Sequence, residues 1–197
     1  MNKNNNLKII IDLFKKNKFT EALLLCDQFQ DNQNLYIVKN LKGAIYFKQK
    51  NYDLAKKNFL QSIELNKNFI DPYNNLYQLL VSIKDYKNLI IIAKKILDLD
   101  KSNSISHFKL AYAFEINGNL SQSINFYNSA INLGFADKKI IYNNLGNIYL
   151  QLDKLDKSIE FFILAYEQSK DNKFIINNLI RALIKKRDVV NAEKFLK

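Results

Sequence analysis

The chain has few of the residues from which metal sites, disulfides and tight turns are built. Its 197 residues include one cysteine, one histidine, one proline, four glycines and no tryptophan. A single cysteine excludes an intrachain disulfide and a thiolate metal cluster, and a lone histidine does not make a metal site. The scarcity of glycine and proline argues against a loop-rich β fold and favours long helices.

Arginine is scarce too, at only two positions, although the net charge is +11. The excess of lysine and asparagine is a skew that codon usage in an AT-rich genome produces without selection for charge. Residues 36–69 and 173–197 each carry seven basic residues against two acids, or +5, and the remainder sums to +1. A nucleic-acid-binding protein more often shows a continuous basic stripe with interleaved aromatic residues. We therefore expect no nucleic-acid partner.

The first residues do not predict a membrane-targeting segment. The apolar stretch 7–14 is interrupted by Lys8 and Asp12. It is too short and too charged for a secretory signal or a membrane span. We expect no membrane association and a cytoplasmic location.

A sequence pattern recurs about every 34 residues along nearly the whole chain. A mostly small residue opens the second helix of each predicted helix pair, with spacings of 33, 34, 34, 35 and 34: Ala22, Ala55, Leu89, Ser123, Ser158 and Ala192. Further core positions lie four residues later, at Cys26, Phe59, Ala93, Tyr127, Phe162 and Leu196, and then at Phe29, Ser62, Ile96, Ala130 and Ala165. Steps of four and three residues place these side chains on one helical face. A fixed period of this length indicates a solenoid whose units stack on their neighbours.

The first helices of the pairs carry a matching core face. Its predicted members are Val38, Ala44 and Tyr46; Tyr73, Leu76 and Leu80; His107, Leu110, Ala111 and Phe114; Tyr142, Leu145, Gly146 and Tyr149; and Ile176, Leu179, Ile180 and Leu183. Glycine inside a helix costs about 1 kcal/mol relative to alanine. Close approach of two helices is therefore the expected reason for Gly43 and Gly146.

These elements together resemble the tetratricopeptide repeat (TPR) family over essentially the whole chain. Matching features are the Gly or Ala of the first helix, the aromatic residues Tyr46, Phe114 and Tyr149, and the Tyr or Leu before the second helix. The family's frequent Trp and its Pro between units are missing. The resemblance implies an all-α fold, an α-solenoid forming a right-handed superhelix of antiparallel helix pairs, as a single array over 1–197. The predicted units are 3–35, 36–69, 70–103, 104–138 and 139–172, with a partial unit at 173–197.

The sequence offers no catalytic constellation. The lone His107 and Cys26 both occupy predicted packing positions, and nothing cationic adjoins Cys26 to activate it as a nucleophile. Gly-rich phosphate loops, HExxH helices and GxSxG elbows do not occur. We expect no enzymatic activity, no cofactor and no metal.

The most informative candidate site lies on the first helices, which line the concave groove in TPR arrays. The motif Asn-Asn-Leu occurs there three times in one register, and by resemblance the peptide-binding positions are Asn40, Asn74, Asn75, Gln78, Phe108, Lys109, Tyr112, Asn143, Asn144, Asn147, Asn177, Asn178 and Arg181. The pattern is similar to the asparagine ladder in the TPR domain of O-GlcNAc transferases. Asn amides both donate and accept hydrogen bonds, so a row of them suits a peptide backbone. The alternative is that asparagine is simply abundant here and tolerated on a wet surface.

The leading hypothesis is a non-catalytic scaffold that binds an extended peptide or a partner helix in this groove. Apolar neighbours, Ile105, Ile140 and Phe174 among them, are expected to supply selectivity. The lysine clamp that holds acidic chaperone tails in other TPR proteins is matched here only at Asn75. A second hypothesis is a substrate-recruiting arm of a larger enzyme such as a glycosyltransferase. Self-association through an uncapped carboxyl-terminal end is a third.

Overall fold

The computed structural model describes residues 3–195, and these form twelve α-helices without a β-strand. The helices are α1 Lys3–Lys15, α2 Phe19–Asp27, α3 Leu35–Lys48, α4 Tyr52–Leu65, α5 Ile70–Ser82, α6 Tyr86–Leu99, α7 Ser104–Ile116, α8 Leu120–Asn132, α9 Lys138–Gln151, α10 Leu155–Gln168, α11 Lys173–Lys185 and α12 Val189–Lys194. Consecutive helices form six pairs that coincide with the predicted repeat units. The predicted all-α fold of helix pairs is confirmed.

The helices group into two compact units that divide between Leu99 and Asp100. Unit 1 contains α1 to α6 and unit 2 contains α7 to α12. Each unit therefore holds three helix pairs with a core of its own. The description of the chain as one continuous array stays a prediction. Within residues 3–195, no helix is long and apolar enough to cross a membrane.

Every first helix ends in the same way, on one residue with a left-handed backbone. The residues are Asn17, Lys50, Lys84, Gly118, Asp153 and Arg187, with φ between 56° and 77°. In the third helix, for example, Lys50 N donates to Phe47 O and Asn51 N donates to Tyr46 O, which is a Schellman motif. Only one of the six positions is glycine, although glycine adopts this conformation at the lowest cost. Gly134, between α8 and α9, is a further left-handed residue (φ 79°).

The second-helix face packs as the repeat register predicted. Its opening positions from Ala22 to Ala192 are at most 2% exposed, and the side chains of Phe59, Tyr127 and Phe162 are fully buried. Cys26 is buried as well. Phe29 is only half-buried, and Leu196 lies outside the described residues. The core face of the second helices is thus confirmed apart from its two ends.

The first-helix face agrees less completely with the prediction. Leu110, Ala111, Leu145 and Leu179 are buried as expected. In α3, however, Ile45 is fully buried while the predicted core residues Ala44 and Tyr46 are half-buried. The position of Ile45 is buried in other first helices as well, at Ala113, Ile148 and Ala182, so the core face includes a position that the prediction left out.

Gly43 and Gly146 lie where an aromatic ring of the paired helix crosses the backbone. A Cβ at Gly146 would stand 2.6 Å from the ring of Phe162, and one at Gly43 would stand 2.6 Å from the ring of Phe59. The Ser158 hydroxyl donates to the carbonyl of Gly146 at 2.8 Å and ties the same two helices together. The predicted close approach is confirmed, and its partner is the large residue of the second helix.

We expect Gly146→Ala to lower the free energy of unfolding by about 1–2 kcal/mol. The overpacking cost against the buried ring of Phe162 exceeds the gain in helix propensity of about 1 kcal/mol. Urea titration followed by circular dichroism measures the change. In a Phe162→Leu background, where space is available, the same substitution should cost less, and equal losses in both backgrounds would contradict the contact.

Candidate interaction surface on the first helices

Two hydrogen bonds between asparagine side chains join successive first helices. In unit 1, Asn75 Nδ2 of α5 donates to Asn40 Oδ1 of α3 at 2.8 Å. In unit 2, Asn178 Nδ2 of α11 donates to Asn143 Oδ1 of α9 at 2.9 Å. Each bond joins residues 35 positions apart. The Asn-Asn-Leu motif therefore has a structural partner within the chain.

Burial distinguishes these bridging amides from the rest of the predicted site. Asn40, Asn143 and Asn178 are only 6–8% exposed, and Asn75 is half-buried. Each bridge uses one polar atom per amide and leaves Asn143 Nδ2 and Asn178 Oδ1 out of the bond. The repeat pattern did not predict the bridges, because it aligns residues at the same position of each repeat. The bonded residues occupy neighbouring positions of the repeat.

Helices α7 and α9 are not joined by such an asparagine bridge, because Phe108 occupies the repeat position that Asn143 and Asn177 occupy in later repeats. Phe108 stacks on Phe135, with ring centroids 4.7 Å apart. Asn144 Nδ2 instead donates to the Tyr127 hydroxyl at 2.8 Å, and that hydroxyl donates to Glu115 Oε2 at 2.5 Å. A buried polar chain thus links α9, α8 and α7.

The remaining predicted site residues differ in exposure. Arg181 is exposed and donates to Asn147 Oδ1, 34 residues earlier, at 2.9 Å. Gln78 and Asn177 are also exposed, and Asn74, Lys109 and Tyr112 are half-buried. Burial lowers the pKa of the Lys109 ammonium from its ordinary value. All thirteen predicted residues lie on first helices, four in unit 1 and nine in unit 2.

Three large apolar side chains in the first turns of the first helices of unit 2 are exposed. Ile105 is 51% exposed, Ile140 is 41% and Phe174 is 64%. They share one register, 18 residues before Ser123, Ser158 and Ala192 respectively. We call these three residues the apolar row. In α5 of unit 1, the corresponding residue is the acid Asp71.

A pocket of about 250 Å³ lies between two members of the apolar row. It is lined by Lys139, Ile140, Asn143, Asn144, Asn172, Phe174 and Ile175. Asn172 caps α11 by accepting from the backbone N–H of Phe174 at 3.0 Å, which fixes the start of the helix beside the pocket. The pocket therefore combines apolar walls with amide groups.

Among the helices of unit 2, most basic side chains lie on the first helices, although the connecting segments carry further ones, at Lys101, Lys154, Lys170, Lys186 and Arg187. Six basic residues against one acid occur on α7, α9 and α11: Lys109, Lys138, Lys139, Lys173, Arg181 and Lys185, with Glu115. The acid is largely buried. Helices α8 and α10 carry one base, Lys157, against three acids. Two of the six bases form ion pairs, Lys139 with Asp137 and Lys185 with Asp153.

The lone cysteine and the lone histidine lie apart from any cluster of potential metal ligands in residues 3–195. No group of three or more potential metal ligands occurs among residues 3–195. Burial raises the pKa of the Cys26 thiol to about 11, so it stays protonated at neutral pH. His107 is half-buried, and its Nε2 lies 2.9 Å from the Lys101 carbonyl.

Known proteins resemble this chain in both sequence and fold. Residues 38–69 and 140–172 match the family model of the tetratricopeptide repeat. The chain is 25% identical over 194 residues to the anaphase-promoting complex subunit CDC16 of Saccharomyces cerevisiae, covering 91% of this chain and 21% of CDC16. It is 31% identical over 74 residues to the ycf37 protein of Pyropia yezoensis, covering 38% of this chain and 40% of ycf37. The chain thus spans less than half the length of either relative.

Solved structures share the fold at low sequence identity. A crystal structure of MamA superimposes with a TM-score of 0.77 at 18% identity, over 83% of this chain and 89% of MamA. YrrB, described as a TPR protein with an unusual peptide-binding site, gives 0.77 at 15% identity, over 87% of this chain and 89% of YrrB. These matches show two tetratricopeptide repeats, at residues 38–69 and 140–172, and a helical fold shared with the solved structures. The specific likeness to O-GlcNAc transferases finds no support.

We expect Asn178→Ala and Asn143→Ala each to lower the free energy of unfolding by about 1–2 kcal/mol. Each substitution leaves a largely buried amide without its partner. In the double variant the loss should be smaller than the sum of the two single losses. Asn177→Ala, an exposed neighbour, is the control and should leave stability unchanged. Additive losses in the double variant would show that the bridge contributes nothing.

We expect Glu115→Gln to change how stability depends on pH. Burial raises the pKa of Glu115 above its ordinary value of 4.5, partly offset by the hydrogen bond from Tyr127. The folded state therefore binds this proton more tightly than the unfolded state, so its contribution to stability falls as pH rises through the folded pKa. Relative to wild type, the variant should gain stability from acid to neutral pH in urea titrations. A difference that does not vary with pH would contradict this account.

Proposed function

We propose that this chain is a non-catalytic protein-interaction scaffold whose first-helix surface in unit 2 binds a peptide segment of a partner protein. The observation that carries the proposal is the apolar row beside the amide-lined pocket. A folded chain loses free energy by leaving large apolar side chains in water, and contiguous exposed apolar surface marks interaction sites. Ile105, Ile140 and Phe174 repeat at equivalent positions, and Ile140 and Phe174 line the same pocket.

The relatives support the same class of function. CDC16 is by its name a subunit of a multiprotein complex, and YrrB is described as having a peptide-binding site. The TPR scaffold holds a shape and leaves recognition to surface residues. Modest apolar burial with amide hydrogen bonds corresponds to an affinity of order micromolar, about −8 kcal/mol. A substrate-recruiting arm of a larger enzyme would use the same surface in the same way.

The bridges change which asparagines are offered to a ligand. Asn143 and Asn178 hold one another and form the floor of the surface, so a peptide meets only their remaining polar atoms. Asn144 donates its Nδ2 to the Tyr127 hydroxyl, and its Oδ1 takes no part in that bond. Asn177 and Gln78 are exposed. We therefore assign peptide contact in unit 2 chiefly to the apolar row, Asn144 and Asn177.

Selection of peptides from a random display library on the whole chain tests the proposal. Selected peptides should bind the variant Ile140→Ala with Phe174→Ala at least tenfold more weakly than wild type, because that variant removes the pocket walls. The matched control, Leu60→Ala with Ile91→Ala, removes two side chains that are 46% and 55% exposed on the second helices of unit 1. It should bind like wild type.

Three results would count against peptide binding at this surface. They are the selection of no peptide, an equal loss in both variants, and unchanged binding in the first variant.

Light scattering over a concentration series tests the separate prediction of self-association, because the measured mass of a self-associating protein depends on its concentration.

A further inference from the structure

Three apolar side chains around the start of α12 are exposed to water, and we call Ile184, Val189 and Val190 the α12 patch. Their exposed fractions are 57%, 56% and 72%. We propose that the α12 patch is a self-association surface, through which two copies of this chain pair about a two-fold axis. The equivalent positions of the other repeats, the local charge and the size of the patch carry this inference.

Two members of the patch occupy positions that are covered elsewhere in the chain. The equivalents of Ile184 are half-buried in the five other repeats: Phe14, Phe47, Val81, Glu115 and Leu150. The equivalents of Val189 are half-buried as well: Phe19, Tyr52, Tyr86, Leu120 and Leu155. Leu150 packs against a core cluster that includes Leu179 and Leu183 of the following first helix, α11. Ile184 and Val189 have no such cover within residues 3–195.

These two positions lie next to each other. In the second repeat their occupants are Phe47 and Tyr52, whose ring centroids are 6.0 Å apart. The same kind of turn joins α11 to α12, with Arg187 N donating to Ile184 O at 2.9 Å. Ile184 and Val189 therefore form one stretch of apolar surface, and Val190 follows directly in the chain.

Val190 favours a second copy over a further helix pair as the cover of the patch. The residue at its position is polar and exposed in the five other repeats: Thr20, Asp53, Lys87, Ser121 and Asp156. In four of those repeats a helix pair follows within the same unit, and it leaves the position open to water. A further helix pair would thus leave Val190 exposed, whereas an apolar surface from a second copy would cover it.

The local charge also suits a second copy. Lys185 pairs with Asp153 at 2.8 Å and Lys186 pairs with Asp156 at 2.6 Å, so both ammonium groups are neutralised. The rest of the turn and α12 carry two bases and two acids: Arg187, Asp188, Glu193 and Lys194. The whole chain carries +11, so two copies repel each other over most of their surface. At the α12 patch they meet no net charge, and a strongly charged partner gains nothing there.

The size of the patch sets the strength of the association. Stable, specific interfaces bury about 800 Å² on each partner, and three side chains supply only part of that area. Two identical patches around a two-fold axis cover one another, and the assembly closes at a dimer. We therefore expect a weak dimer that dissociates on dilution, with a Kd on the order of 100 μM.

Light scattering on the whole chain from micromolar to millimolar concentration tests this inference. The mass should rise with concentration and level off at twice the monomer mass of 23.1 kDa. High salt should leave the dimer unchanged or strengthen it, because salt screens the repulsion between the two positive copies and not the apolar contact. A mass that stays monomeric, grows beyond the dimer or falls with added salt overturns the proposal.

Matched variants locate the contact. Val190→Asp should raise the Kd at least tenfold, because it places two carboxylates at the two-fold contact. Asp53 and Asp156 occupy the same position in other repeats, so the fold accommodates the change, and circular dichroism checks this. The control Ile91→Asp makes the same change in charge at a side chain of α6 that is 55% exposed, and it should leave the Kd unchanged. Equal effects of the two substitutions would place the contact elsewhere.

Cross-linking gives an independent measurement, because the one native cysteine, Cys26, is buried. A short bismaleimide should join two copies of Val190→Cys into a covalent dimer, and Ile91→Cys should give no more than wild type. Equal yields from the two cysteine variants would overturn the two-fold contact.

The outcome is distinguishable from that of the proposed function. Ile140→Ala with Phe174→Ala should dimerise like wild type, and Val190→Asp should bind selected peptides like wild type. Loss of the dimer in the first variant would assign self-association to the first-helix surface and overturn the α12 patch.

Discussion

The structure of each unit depends on how closely the two helices of a repeat approach each other at one small residue. At Gly146 the ring of Phe162 fills the space that any side chain would need, and Gly43 with Phe59 repeats the contact in unit 1. This contact fixes the rotation of the first helix about its axis. Once that rotation is fixed, one face of the first helix is buried. The side chains at the border between its buried and exposed faces then contact the next first helix. The asparagine bridges follow from it.

The bridges show how a polar repeat can be structural and still leave a binding surface. An amide has two polar ends, and a bond between Asn143 and Asn178 consumes one end of each. Leaving both amides unpaired at 6–8% exposure would cost about 1–3 kcal/mol for each group. Bonding between the helices removes that cost and orients the other ends. Where Phe108 replaces an asparagine, the Tyr127 hydroxyl accepts the hydrogen bond from Asn144 instead. That hydroxyl in turn donates to Glu115.

The sequence predicted the helix pairs, the repeat register and the buried faces of the second helices, because these follow from periodicity. It predicted the close approach at Gly43 and Gly146 from the cost of glycine in a helix. It did not predict the partners of the asparagines, since it aligned residues at the same position of each repeat, whereas the bonded pairs Asn40–Asn75 and Asn143–Asn178 join neighbouring positions. Nor did it predict that Lys50 and Lys84, which follow α3 and α5, adopt a left-handed backbone conformation, since neither position is a glycine.

The apolar row is the feature that the fold does not explain. The repeat needs a buried side chain at the positions that meet the paired helix, and Ile105, Ile140 and Phe174 lie away from those positions at 41–64% exposure. A polar side chain is compatible with the same place in the helix, as Asp71 demonstrates in α5. Packing therefore does not require the three apolar residues of unit 2. The proposed partner segment would cover them, beside the pocket that Ile140 and Phe174 line.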